Sequence, residues 1–125
     1  MTSTAWLAFL VAAAIGAPAR YLIDGLVQER TGGVFPWGTF VVNVSGCFVL
    51  GTVTGLGLYH GLGVSARTVV GTGGMGAYTT FSTFTFETVR LAEEGAINEA
   101  LRNVAASFIV GLAAAALGLA LTALL

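Results

Sequence analysis

The side chains with most to offer chemically lie in one stretch, "GTGGMGAYTTFSTFTFE", from Gly71 to Glu87. Gly71, Gly73, Gly74 and Gly76 fall within its first six residues. The hydroxyls of Thr79, Thr80, Ser82, Thr83 and Thr85 follow, interleaved with Phe81 and Phe84 and ending in the carboxylate of Glu87. A glycine costs roughly 1 kcal/mol relative to alanine inside a helix, so this cluster predicts a break at the glycines. Backbone freed at a break has two uses. Its carbonyls can bind a cation, and the amides of the restarting helix can face an anion. The other reading of the glycines is close helix crossing. Phe81 and Phe84 are three apart and share a helix face; Thr80, Thr83 and Glu87 share another. Phenyl edges carry positive potential, so two rings turned edge-inward can attract a small anion without a formal charge. The same spacing also serves ordinary core packing.

Other polar residues sit in apolar surroundings. Asn43 lies four residues after Thr39 and close to Ser45. An asparagine in an apolar helix is costly without a hydrogen-bond partner. Two roles are open to it: glue between helices, or an NH2 donor to a permeating anion. Asn103 and Ser107 form another pair at i, i+4. Arg20, in "GAPARYLID", is the cation placed well inside an apolar stretch. Such a residue is a functional candidate by default; snorkelling to the helix end or pairing with Asp24 are its other readings. This inventory is rich in donors, and only Asp24 and Glu87 add carboxylates near the apolar stretches. Cation paths use acidic rings or carbonyls, whereas anion paths use donors and cations. The balance favours a small anion without naming one. No nucleophile–base pair or metal cluster suggests an enzyme. Cys47 reads as a small packing residue, and His60 has no ligand partner at metal-binding spacing.

The elements that position these groups are membrane helices. The chain has 125 residues, 56% hydrophobic and 9% charged, against about 25% charged in average soluble domains. Four apolar stretches, roughly Ala5–Leu26, Gly38–Leu58, Ala66–Val89 and Val104–Leu125, are long enough to span, since about 20 apolar residues cross a bilayer core. They predict a single integral membrane domain over 1–125, all-α, with the third helix broken mid-span. The N-terminus has no basic region of the kind a cleaved signal peptide carries. A net charge of −1 and the lack of a basic patch argue against nucleic acid. Arg30, Arg90 and Arg102 fall at one membrane surface and Arg67 at the other, a weak bias by the positive-inside rule that predicts insertion in either orientation. Gly51 and Gly55 form a G-x-x-x-G pair suited to close helix packing. No internal repeat is visible, so any symmetry must come from a second copy.

Three segments in order, "GAPARY" (Gly16–Tyr21), "GTFVVNVSG" (Gly38–Gly46) and "GGMGAYTTFSTF" (Gly73–Phe84), resemble the CrcB/Fluc family of fluoride channels. The likeness covers essentially the whole chain. It implies an antiparallel, dual-topology homodimer in the inner (plasma) membrane, with two pores at its interface. Such a channel exports fluoride passively from the cytoplasm and relieves fluoride toxicity. By the same resemblance, Phe81 and Phe84 turn ring edges to fluoride, Asn43 is the pore asparagine and Ser107 the serine of the fourth helix. Thr80, Thr83 and Glu87 join that pore, and Arg20 is the vestibule charge. The backbone carbonyls of Gly76 and Thr79 are assigned a structural sodium ion at the dimer interface. Ala77 stands where relatives often have a second glycine, which would strain the break if that position needed positive φ. A proton-coupled small multidrug-type exporter is the alternative, since it too can have four helices and dual topology. It needs a membrane-embedded carboxylate, and Ala5–Tyr21 has none.

Overall fold

The computed structural model describes residues Met1–Leu125 and is entirely helical. In chain order the elements are α1 (Ser3–Thr31), α2 (Trp37–Tyr59), α3 (Val64–Arg67), a π-helical segment (Thr68–Met75), α4 (Gly76–Tyr78), α5 (Phe81–Glu93) and α6 (Ile97–Ala123). Helices α1, α2 and α6 are each long and apolar enough to cross a membrane. The passage between α2 and α6 is assembled from the shorter pieces. Helix α6 begins seven residues before the predicted apolar stretch. Its first turns are polar, and Arg102 Nη1 pairs with Glu99 Oε1 at 3.1 Å, an i, i+3 contact that supports a helix end in water.

The break in the third passage is not where the glycines predict it. Helical backbone continues through Gly71, Gly73, Gly74 and Gly76, wound wide as a π-helix over Thr68–Met75. The chain leaves the helical region at Thr79 (φ −74°, ψ 160°) and Thr80 (φ −145°, ψ 120°) instead. The glycines serve the other purpose open to them. A Cβ on Gly16 of α1 would collide with the Gly74 carbonyl oxygen, so α1 and the π-helical segment approach backbone to backbone. Such π-turns cluster at functional sites. Ala77 lies within α4, and no residue other than glycine has positive φ. The substitution therefore introduces no backbone strain.

Two packing partnerships hold the bundle. α2 and α6 run parallel, with Cys47 against Gly111, Gly51 against Ala115 and Gly55 against Leu119. At Gly51 the approach is so close that a Cβ would strike the Ala115 backbone, the contact expected of small residues in lipid. The third passage changes partner half-way. Its first half lies along α1, with Phe9 beside Gly73 and Arg20 beside Thr79. Its second half, α5, packs against α6. The break is the point of transfer, and α2 faces it.

Candidate functional site

The break is built by Asn43. Its side-chain amide mimics a strand partner for Thr80: the Thr80 N–H donates to Oδ1 at 2.8 Å, and Nδ2 donates to the Thr80 carbonyl at 2.9 Å. In a continuous helix the Thr80 N–H would bond to the Gly76 carbonyl; Asn43 takes it away. Thr80 then caps α5, its Oγ1 accepting from the Thr83 N–H at 3.2 Å, as N-cap threonines do. That bond removes the helical donor for the Thr79 carbonyl. Both Gly76 and Thr79 carbonyls thus leave the helical ladder. Thr79 O accepts instead from Arg20 Nη1 at 3.3 Å. Beside the break, Ser45 Oγ donates to the Val42 carbonyl at 3.0 Å and meets Tyr78 Oη at 2.9 Å. With its proton spent on Val42, Ser45 must accept from the tyrosine. Asn43 and Ser45, two residues apart on α2, therefore hold the Thr80 backbone and the Tyr78 side chain on either side of Thr79.

Two small cavities flank Phe81. One, of about 240 Å³, is lined by Asn43, Cys47, Phe81, Phe84, Ser107 and Phe108, among others. The second, of about 200 Å³, lies toward the break and again includes Asn43, Cys47 and Phe81, with Thr79 and Thr80. The Phe81 and Phe84 ring centroids are 5.8 Å apart at an interplanar angle of 42°. Phe108 of α6 meets Phe84 edge-on, at 6.3 Å and 82°. The two phenylalanines differ in setting. Phe84 is 7% exposed and Phe81 is 72% exposed, so the outer ring lies on the surface of a single chain. One N–H of the Asn43 amide is left over after Thr80 is served, because an amide NH2 has two.

Polar groups continue from the break toward the end of the bundle that holds the α1–α2 connection. Thr80 Oγ1 lies 2.9 Å from Thr83 Oγ1. Farther along α5, Thr39 donates to Glu87 Oε1 at 3.0 Å, while Glu87 Oε2 is buried without a partner. Glu87 borders a polar cavity of about 350 Å³ with Asp24, Gln28 and Arg90. A parallel relay runs on α6. Ser107 Oγ lies 3.5 Å from Asn103 Oδ1, Asn103 Nδ2 donates to Thr88 Oγ1 at 2.9 Å, and Thr88 donates to the Phe84 carbonyl at 2.7 Å.

A family model described as "CrcB-like protein, Camphor Resistance (CrcB)" matches residues 7–119. The chain belongs to the CrcB family. Among its relatives, the "Fluoride-specific ion channel FluC 1" of Frankia casuarinae is 50% identical over 121 residues, covering 93% of this chain and 94% of the relative. The protein of the same description from Streptomyces avermitilis is 48% identical over 113 residues, 90% and 91% of the two chains. That of Leifsonia xyli is 45% identical over 119 residues, 95% and 87%. The family consists of channels rather than enzymes, and its member here is a multi-pass protein of the plasma membrane. Relatives of this description leave the multidrug-exporter alternative without support.

In this CrcB-family chain the residues singled out from sequence fall into three groups. Asn43, Thr80, Phe81, Phe84 and Ser107 converge on the two cavities beside Phe81. Thr83 and Glu87 follow along α5, and Glu87 belongs to the separate polar cavity. Arg20, Gly76 and Thr79 meet at the break. Arg20 makes no ion pair with Asp24, since the ion pairs of the chain are Arg90–Glu94 and Arg102–Glu99. Three residues carry more than their types suggest. Cys47 lines both cavities beside Phe81, and its spacing of four from Asn43 on one helix was the available signal. Thr39 reaches Glu87 across a separation of 48 residues, and Gln28 borders the polar cavity; neither contact has a signature in sequence.

Proposed function

We propose that this protein is a fluoride-selective channel that lets fluoride leave the cytoplasm passively, working as an antiparallel homodimer with two pores. The observation that carries this reading is the convergence of Asn43, Phe81, Phe84 and Ser107 on one groove, in a chain whose relatives are named fluoride-specific channels. Fluoride holds its water tightly, so a path must replace that shell with donors. The spare Asn43 N–H and the phenyl edges are donors of graded strength, and the Ser107 hydroxyl joins them by turning away from Asn103 Oδ1, 3.5 Å distant. A 72% exposed Phe81 at the lip of the groove leaves the path open on one side. A second copy would close it, and the weak arginine bias allows that copy to insert upside down. Fluoride enters cells as neutral HF and ionises inside, so a leak driven by membrane potential is sufficient for export.

A sodium ion held by the Gly76 and Thr79 carbonyls belongs to the same proposal. The residues fit such an ion: both carbonyls lose their helical donors through Asn43 and Thr80. Gly76 is exposed, with nothing within 4 Å of where a Cβ would stand. Hard cations take several oxygen ligands, so two carbonyls from one chain supply part of a shell and the partner copy supplies the rest. Bound there, the ion would fix the charge and geometry of the crossing between the two breaks.

Purified protein in liposomes tests the function. Vesicles loaded with fluoride and placed under an outward potassium gradient with valinomycin should release fluoride while retaining chloride. Retention of fluoride, or equal loss of both halides, refutes the reading.

A further inference from the structure

We propose that Arg20 and the sodium ion compete for one oxygen, the Thr79 carbonyl, so that Arg20 sets how tightly the ion is held. This inference rests on the sodium reading above. Arg20 projects from α1 toward the break, and its Nη1 donates to Thr79 O at 3.3 Å. That is the one hydrogen bond its guanidinium makes to protein, and no carboxylate lies within ion-pair distance. The guanidinium therefore serves as the cation on a carbonyl that the break releases.

A carbonyl oxygen has two lone pairs, so sterics alone would let both cations share it. Electrostatics opposes this. Two unit positive charges a few ångströms apart repel strongly where water is scarce, and no carboxylate lies within ion-pair distance of Arg20 to offset this. Sodium binding then requires the guanidinium to leave Thr79. A second station exists for it one turn farther along α1, where Asp24 lies at i+4, the spacing at which helical ion pairs form. Asp24 itself faces the polar cavity it shares with Gln28 and Glu87. Arg20 thus has two positions, Thr79 without sodium and Asp24 with it.

The test reads sodium affinity through the protein's stability rather than its conduction. Thermal unfolding of the purified, full-length protein is followed while sodium replaces N-methyl-D-glucamine at constant ionic strength. Wild type should gain stability saturably. In Arg20→Gln the half-saturating sodium concentration should fall by at least about tenfold, because the competing charge is gone. In Asp24→Asn it should rise, because the displaced guanidinium loses its second station. An unchanged or higher half-saturation in Arg20→Gln overturns the competition while leaving the sodium site in place. If neither wild type nor variant responds to sodium, the sodium reading fails and the inference with it. Should the variants not fold, NMR of the wild-type Arg20 guanidinium decides. Its signals should move with the same half-saturation as the thermal shift, and signals indifferent to saturating sodium contradict the proposal.

Discussion

Replacing Asn43 by alanine should cut fluoride efflux from liposomes about hundredfold and lower the unfolding midpoint of the protein. Alanine removes both bonds to Thr80, the 2.8 Å bond to its N–H and the 2.9 Å bond to its carbonyl. At about 1–1.5 kcal/mol each, their joint loss corresponds to a factor of roughly 30 to 160 in the population of the formed break. The freed Thr80 N–H has an alternative partner close by. It can return to the Gly76 carbonyl and heal the helix, which withdraws one of the two carbonyls assigned to sodium. Stability and conduction should therefore fall together. Asn43→Asp keeps an acceptor for the Thr80 N–H but sets a carboxylate oxygen against the Thr80 carbonyl, and should conduct no better than alanine. Full flux from a stable Asn43→Ala protein would show that neither the break nor the path depends on this amide.

Phe81→Ile should separate conduction from stability. The ring is 72% exposed in a single chain, and isoleucine keeps an apolar side chain of comparable bulk for the partner copy to pack on, so the change in stability should stay below about 1.5 kcal/mol. What is lost is the positive phenyl edge at the junction of the two cavities. An aromatic edge contact is worth about 0.5–1.5 kcal/mol, which sets the expected fall in fluoride flux at about two- to twelvefold once the ring no longer replaces water. Phe84→Ile makes the comparison sharp. Phe84 is 7% exposed and lies against both Phe81 and Phe108, so that variant should lose stability as well as flux. Flux measured by fluoride electrode, beside thermal unfolding of the same preparations, checks both. Unchanged flux in Phe81→Ile removes that ring from the path.

How far the sequence carries depends on the range of the interaction. Apolar length and small-residue spacing are local, and they locate the membrane passages and the close approach at Gly51. The position of the break is not local. It is set by Asn43, which lies 37 residues from Thr80 in the chain. Propensity points to the glycines, yet they remain helical because α1 offers Gly16 as a close neighbour for the wide π-turns. Thr39 and Glu87 meet for a similarly remote reason. Phe81 and Phe84 do share a face, but their contrast in exposure follows from where α6 places Phe108. The assignment of the Gly76 and Thr79 carbonyls to sodium rests on the resemblance, since nothing in residue type reveals a carbonyl whose helical donor has been diverted. Cys47 is the opposite case. Its register with Asn43 was present in the sequence, and its type drew attention away from it.

That register also supplies the most direct test of where fluoride passes. Cys47 is the single cysteine of the chain and lines both cavities beside Phe81. Liposomes containing the unaltered protein are assayed for potential-driven fluoride efflux before and after treatment with methyl methanethiosulfonate, with the extent of labelling read by mass spectrometry. Rapid efflux before treatment and its loss in proportion to labelling are expected, with Cys47→Ala insensitive to the reagent. Fluoride efflux that persists at full modification would contradict a path through this groove.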